Sequence, residues 1–194
     1  MPERPIATDA QLYRHAASAG RAATSIAVRV AWSPGLRELS LHYRLDGDMR
    51  RLLLPAAAAP TRADGLWQHG CFEAFLRPVA SDGYIEFNFS PSGQWAAWQF
   101  TARRAGMQPL APFDPPAIRC VRREGGVDLD VTVALAQVAN LPGDRTLHLG
   151  LAAVVEDRDG ALAWWALRHL AASPDFHDPA TFTLRLAPAA AVTA

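Results

Sequence analysis

Apolar and polar residues alternate with a period of two through most of this chain. In SIAVRVAW (25–32), Ile26, Val28 and Val30 alternate with small or polar residues. In ELSLHYRL (38–45), Leu39, Leu41, Tyr43 and Leu45 share one side. That period puts like residues on one face of a β-strand. Pro34-Gly35 and Asp46-Gly47 supply turns, which predicts a hairpin. The stretch 66–100 reads as three further strands. On the first, Trp67, His69, Cys71, Glu73 and Phe75 share a face opposite Gln68, Phe72, Ala74 and Leu76. On the second, Tyr84, Glu86, Asn88 and Ser90 stand opposite Ile85, Phe87 and Phe89. Strands are also expected at 118–123, 127–133, 147–156, 162–167 and 182–186. A short helix is expected over 9–17, capped by Thr8 or Asp9, and another over 134–139, stopped near Pro142-Gly143. Segments 55–65 and 102–116, rich in Ala, Pro and Gly, read as loops, the second placed to border a ligand site. About ten short strands with turn signals between them predict an all-β fold: an antiparallel β-sandwich with one or two short helices.

At 194 residues the expectation is one domain over 1–194, with 189–194 as a frayed tail. All 19 basic residues are arginine; they balance 19 acidic ones, giving a formal net charge of zero. That balance argues against a protein that tracks nucleic-acid phosphates, although Arg119, Arg122 and Arg123 form a local basic group. No apolar run approaches the roughly 18 residues of a membrane span. The first twenty residues lack the charged start, apolar run and small-residue cleavage site of a secretory signal, so the expected location is cytoplasmic. Cys71 and Cys120 are too few for a disulfide framework and fit free thiols in a reducing compartment.

The polar faces of 66–76 and 84–90 change the picture. If those strands are neighbours, one sheet surface carries Glu73, Glu86, Asn88, His69 and the indole of Trp67. Such a surface suits a small polar ligand with a hydrophobic flank. The same groups also fit a structural polar network, with Arg168 as counter-ion to Glu73 or Glu86. Other chemistries fit less well. His69 and Cys71, with His169 or His177, lack the paired spacing of a zinc site. A Cys71 nucleophile with His69 as base has no third residue to orient it. Glycoside hydrolysis needs two carboxylates flanking a bond, for which Glu73 and Glu86 are the candidates.

Taken in order, YRLDGD (43–48), LWQHGCFEAF (66–75), EFNFSPSGQWAAW (86–98), AGM (105–107), WALRH (165–169) and PDFHD (174–178) resemble the bacterial DOMON-like domain family. That β-sandwich group is related to family 9 carbohydrate-binding modules and to haem- or sugar-binding DOMON domains. The resemblance covers nearly the whole chain. It implies that Trp67, six residues before Glu73, stacks on a sugar ring while the carboxylate accepts hydroxyl hydrogen bonds. A second indole, Trp164 or Trp165, would close the clamp. His69 and Cys71 depart from a plain sugar platform. The expectation is therefore a non-catalytic domain that binds a carbohydrate or carbohydrate-like ligand through Trp67, His69, Glu73, Glu86, Asn88, Trp164, Trp165 and Arg168. Two alternatives stand beside it. One is a redox domain holding haem non-covalently through Met49 or Met107 and a histidine, since no C-x-x-C-H is present. The other is an interaction module with a sealed polar core.

Overall fold

The computed structural model describes residues 5–138, 141 and 146–188. Within them the chain forms twelve strands: β1 (Ile6–Arg14), β2 (Ala23–Ser33), β3 (Glu38–Gly47), β4 (Cys71–Pro78), β5 (Tyr84–Phe89), β6 (Trp95–Phe100), β7 (Gln108–Pro109), β8 (Ala117–Arg123), β9 (Gly126–Ala134), β10 (Leu147–Glu156), β11 (Leu162–Ala166) and β12 (Leu184–Leu186). Two single 3-10 turns, Leu66–Gln68 and Pro179–Thr181, are the helical elements among the described residues. All twelve strands pair antiparallel, in the order β7-β6-β5-β4-β10-β11-β1-β2-β3-β9-β8, with β12 added on β10.

The sheet curls back on itself. β3 and β4 stand five places apart in that order. Nevertheless the Tyr43 hydroxyl donates to the Glu73 carbonyl at 3.0 Å, and the Tyr43 and Phe72 rings lie 5.0 Å apart. The expected all-β antiparallel class is present. Its division into two separate sheets is replaced by one hydrogen-bonded path bent around a core, a half-barrel. β1 makes the bend continuous. It pairs with β2 from Ile6 to Leu12 and then crosses to β11 through Tyr13 and Arg14.

That role explains why β1 is a strand where a helix over 9–17 was expected. Only Leu12 of its nine residues is buried, so burial imposes little pattern on its sequence, and the ladder to β2 fixes its conformation. The second expected helix, over 134–139, is strand end and turn at its described residues: Leu135 packs into the core and the Val138 N–H donates to the Leu135 carbonyl. Its stop at Pro142-Gly143, and the tail at 189–194, lie outside the described residues.

The two arms of the curl are buried differently. β2, β3 and β9 alternate buried and exposed positions, as expected of sheet with one face in water. β5 is buried at all six positions and β4 at seven of eight. On these strands Phe72, Ala74, Leu76, Ile85, Phe87 and Phe89 face the main core, against Val28, Leu41, Leu129 and Leu151. Their other face meets a second apolar cluster, in which Phe75, Tyr84, Trp98, Phe100 and Phe182 pack together. The second cluster forms because loops 101–107 and 174–182 cover that face. Where the cover stops, the sheet's polar residues look into a cavity.

Candidate functional site

The floor of the cavity follows from strand register. Glu73 pairs with Asn88, and Phe75 with Glu86, across β4 and β5. Glu73 and Glu86 are therefore diagonal neighbours on one face, a relation that sets α-carbons about 7–8 Å apart. The two residues are 3% and 5% exposed. Burial, and then the charge of Glu86, pushes the Glu73 carboxyl well above the usual range, and Arg104 only partly opposes this. Burial raises Glu86 as well, countered by the Asn88 amide, which donates to its Oε1 at 2.7 Å. Asn88 in turn accepts from the Cys71 thiol at 3.6 Å, and burial followed by the charge of Glu73 keeps that thiol protonated. No described residue donates a hydrogen bond to the Glu73 side chain, which borders the open volume.

The walls come from four segments. Gly65, in the left-handed region at φ 75°, starts the Leu66–Gln68 turn and sets Trp67 over the edge of the floor, 49% exposed. The second wall is Val154 of β10, which pairs with Trp164 of β11; both line the cavity. The third wall is the loop after β6, with Arg104 and Met107; the fourth is 174–178, with Phe176 and His177. Together they enclose about 350 Å³, at the lower end of the range for small-molecule sites.

The two loops are bolted to each other. Asp175 receives the guanidinium of Arg103 and, at 2.9 Å, that of Arg104, while Asp178 takes Arg103 at 3.2 Å. Burial alone would raise the Asp175 carboxyl, but these hydrogen bonds and the His177 amide hold it below its ordinary value. His177 sits edge-on against Phe75, Tyr84 and Phe100, 5.3–5.9 Å between centroids. Burial, then Arg104, lowers its pKa to about 4, so it is neutral at pH 7. The Arg104 amide donates to the Tyr84 hydroxyl at 3.2 Å, and that hydroxyl lies 2.7 Å from His177 Nδ1. Donation from Tyr84 to Nδ1 leaves the ring proton on Nε2, 3.7 Å from Glu86 Oε2.

Of the residues expected to bind a carbohydrate, Trp67, Glu73, Glu86 and Trp164 meet at this cavity, and so do His177 and Met107, named for metal and haem. Asn88, fully buried, stands behind Glu86 and fixes its orientation. The others lie elsewhere. Trp165 alternates away from Trp164 into the main core. His69 precedes β4 instead of lying on it, because the 3-10 turn ends the alternation. It pairs with Glu156 at 3.0 Å beside a second cavity, of about 440 Å³. His69 and Cys71 thus have different partners and do not converge. Arg168 is exposed, and the cation acting on both carboxylates is Arg104. Met107 reaches the cavity, whereas Met49 packs on the main core.

Arg104, Met107, Pro174, Phe176 and His177 are the lining residues that strand periodicity could not supply. They stand on loops, where side-chain direction follows tertiary contacts and not a repeat. The proline-rich character of 102–116 was the available signal for one of those loops, and PDFHD for the other.

No family model and no curated protein matches the sequence. Solved structures do. A candidate carbohydrate-binding protein from Bacteroides uniformis shares the fold with a TM-score of 0.61 at 15% identity, over 91% of this chain and 84% of that one. A family 9 carbohydrate-binding module from Caldicellulosiruptor kristjanssonii, solved with cellotriose, aligns with a TM-score of 0.46 at 10% identity, over 81% and 72%. What is shared with the Bacteroides uniformis protein is the fold.

Proposed function

We propose that this protein is a non-catalytic binding domain for a small carbohydrate or carbohydrate-like ligand, held in the cavity between Trp67 and Trp164. The observation that carries this reading is Glu73: a carboxyl 3% exposed, facing an open cavity, with no hydrogen bond from any described residue. A buried polar group in that condition costs roughly 1–3 kcal/mol unless something enters to pair with it. A polyol does so, and its apolar ring face packs on an indole. The fold shared with the Bacteroides uniformis protein supports the same reading, as does the sequence resemblance to DOMON-like domains.

Binding is favoured over hydrolysis by placement. Glu73 and Glu86 are diagonal neighbours on adjacent strands of the cavity floor, whereas glycoside hydrolysis uses carboxylates that flank the scissile bond from two sides. The test is a thermal-shift panel of mono- and oligosaccharides on the wild-type chain, Trp67→Ala and Trp164→Ala. A ligand at about 100 times its Kd adds about 2.7 kcal/mol, or about 5–11 °C for a domain of this size. A shift of that order that disappears in both folded variants supports the reading. The absence of any shift across the panel overturns it.

A further inference from the structure

We infer, resting on the binding-site reading above, that the carbohydrate carries a protonated amine and that its ammonium group sits between Glu73 and Glu86. The cavity offers more acid than it offers cation. Among its described lining residues, Glu73 and Glu86 are the acids, Arg104 is the one permanent cation and His177 is held neutral. Arg104 already gives its Nη2 to Asp175 at 2.9 Å. His177 Nδ1 is occupied by the Tyr84 hydroxyl at 2.7 Å. Arg104 acts on both acids but is shared with Asp175, and the neutral His177 only brings its Nε2 to 3.7 Å from Glu86 Oε2, so one shared cation faces two carboxyls.

The groups that face Glu73 are Glu86 from β5, Arg104 from the loop after β6, His177 from 174–178, and Cys71 on its own strand. Two carboxyls brought together in a half-dry site repel when both are ionised, so one of them keeps a proton. A neutral polyol can hydrogen-bond to that arrangement but leaves the repulsion in place. An ammonium group brings three donors and the missing positive charge. It hydrogen-bonds to both acids, lets both ionise and releases the retained proton to solvent. Surplus acid, an unpartnered buried carboxyl and two indoles around one void together match an amino sugar better than a neutral one.

Isothermal titration of the full chain at pH 7 decides it, using glucosamine and galactosamine against glucose, galactose and the N-acetylated forms. The experiment is run in two buffers of different ionisation enthalpy, with ethanolamine as an amine lacking the ring. The expected result is an amino sugar bound at least about tenfold more tightly than its neutral and N-acetylated counterparts, with protons released on binding. In Glu73→Gln that ratio falls toward one. A neutral or N-acetylated sugar bound as tightly as the amino sugar overturns the inference and leaves the carbohydrate site standing. Ethanolamine bound as tightly as the amino sugar overturns the sugar half of it. If none of these sugars binds the wild-type chain, the site reading fails and the inference fails with it.

Discussion

Glu73 and His177 face the same cavity yet pull stability in opposite directions with pH. Burial keeps Glu73 protonated in the folded chain above the pH at which it ionises in the unfolded one. The unfolded state therefore binds fewer protons there, and stability falls as pH rises from about 4.3 toward the folded value. His177 is the reverse. Its pKa is lowered from 6.5 to about 4, so its contribution is complete above 6.5 and is lost as pH falls to about 4. The loss is at most roughly 3 kcal/mol. Glu73→Gln is expected to melt higher than wild type at pH 8, with the difference closing toward pH 4. His177→Asn is expected to lose its deficit relative to wild type between pH 6.5 and 4. Melting curves over that range check both, and differences that stay constant with pH contradict both. Much of this chemistry was legible one residue at a time. The alternation of Tyr84, Glu86 and Asn88 against Ile85, Phe87 and Phe89 is what the structure shows. Arg168 as the counter-ion was not, because which arginine reaches a carboxylate depends on how a loop folds, and here Arg104 does.

At the scale of elements, period two located β2 to β6 and β9 to β11 because each buries at least one face, and it located β8 as well, although no residue of β8 is fully buried. It failed where other forces set the backbone. β1 exposes most of its side chains and owes its shape to its neighbours. The Leu66–Gln68 turn breaks an alternation that continues in sequence, so Trp67 reaches the cavity from a turn and His69 leaves it altogether. Trp164 and Trp165 were indistinguishable until pairing with Val154 showed which of them shares the floor's face. Close packing between elements also has a measurable consequence. Gly150 on β10 stands opposite Phe75, and Phe182 lies over both, stacked 5.4 Å from Phe75. A Cβ on Gly150 would come within 2.4 Å of the Phe182 ring. Gly150→Ala is therefore expected to cost about 1–3 kcal/mol, read as a lower midpoint in urea; an unchanged midpoint would show that Phe182 does not hold this position.

For the whole molecule, the curl does what no single strand does. It buries one face of β4, β5 and β10 in the main core and turns the other face outward, where two loops locked by Asp175 cover all but a cavity. The all-β class could be read in advance; the pairing of β4 with β5 was only a condition of the expected polar surface, and the structure supplies it. The continuous path through β1 could not be read, since long-range strand order leaves little trace in local pattern. The central claim is that a sugar enters this cavity between Trp67 and Trp164, and the six tryptophans provide a direct test. In a 15N-labelled sample each indole N–H gives its own NMR signal, assignable by single Trp→Phe substitutions. Titration with the sugar giving the largest thermal shift is predicted to move the Trp67 and Trp164 signals. It should leave unmoved Trp32, whose Nε1 donates to the Ala187 carbonyl, and Trp165 in the main core. Movement of Trp32 or Trp165 with Trp67 and Trp164 still would contradict the account.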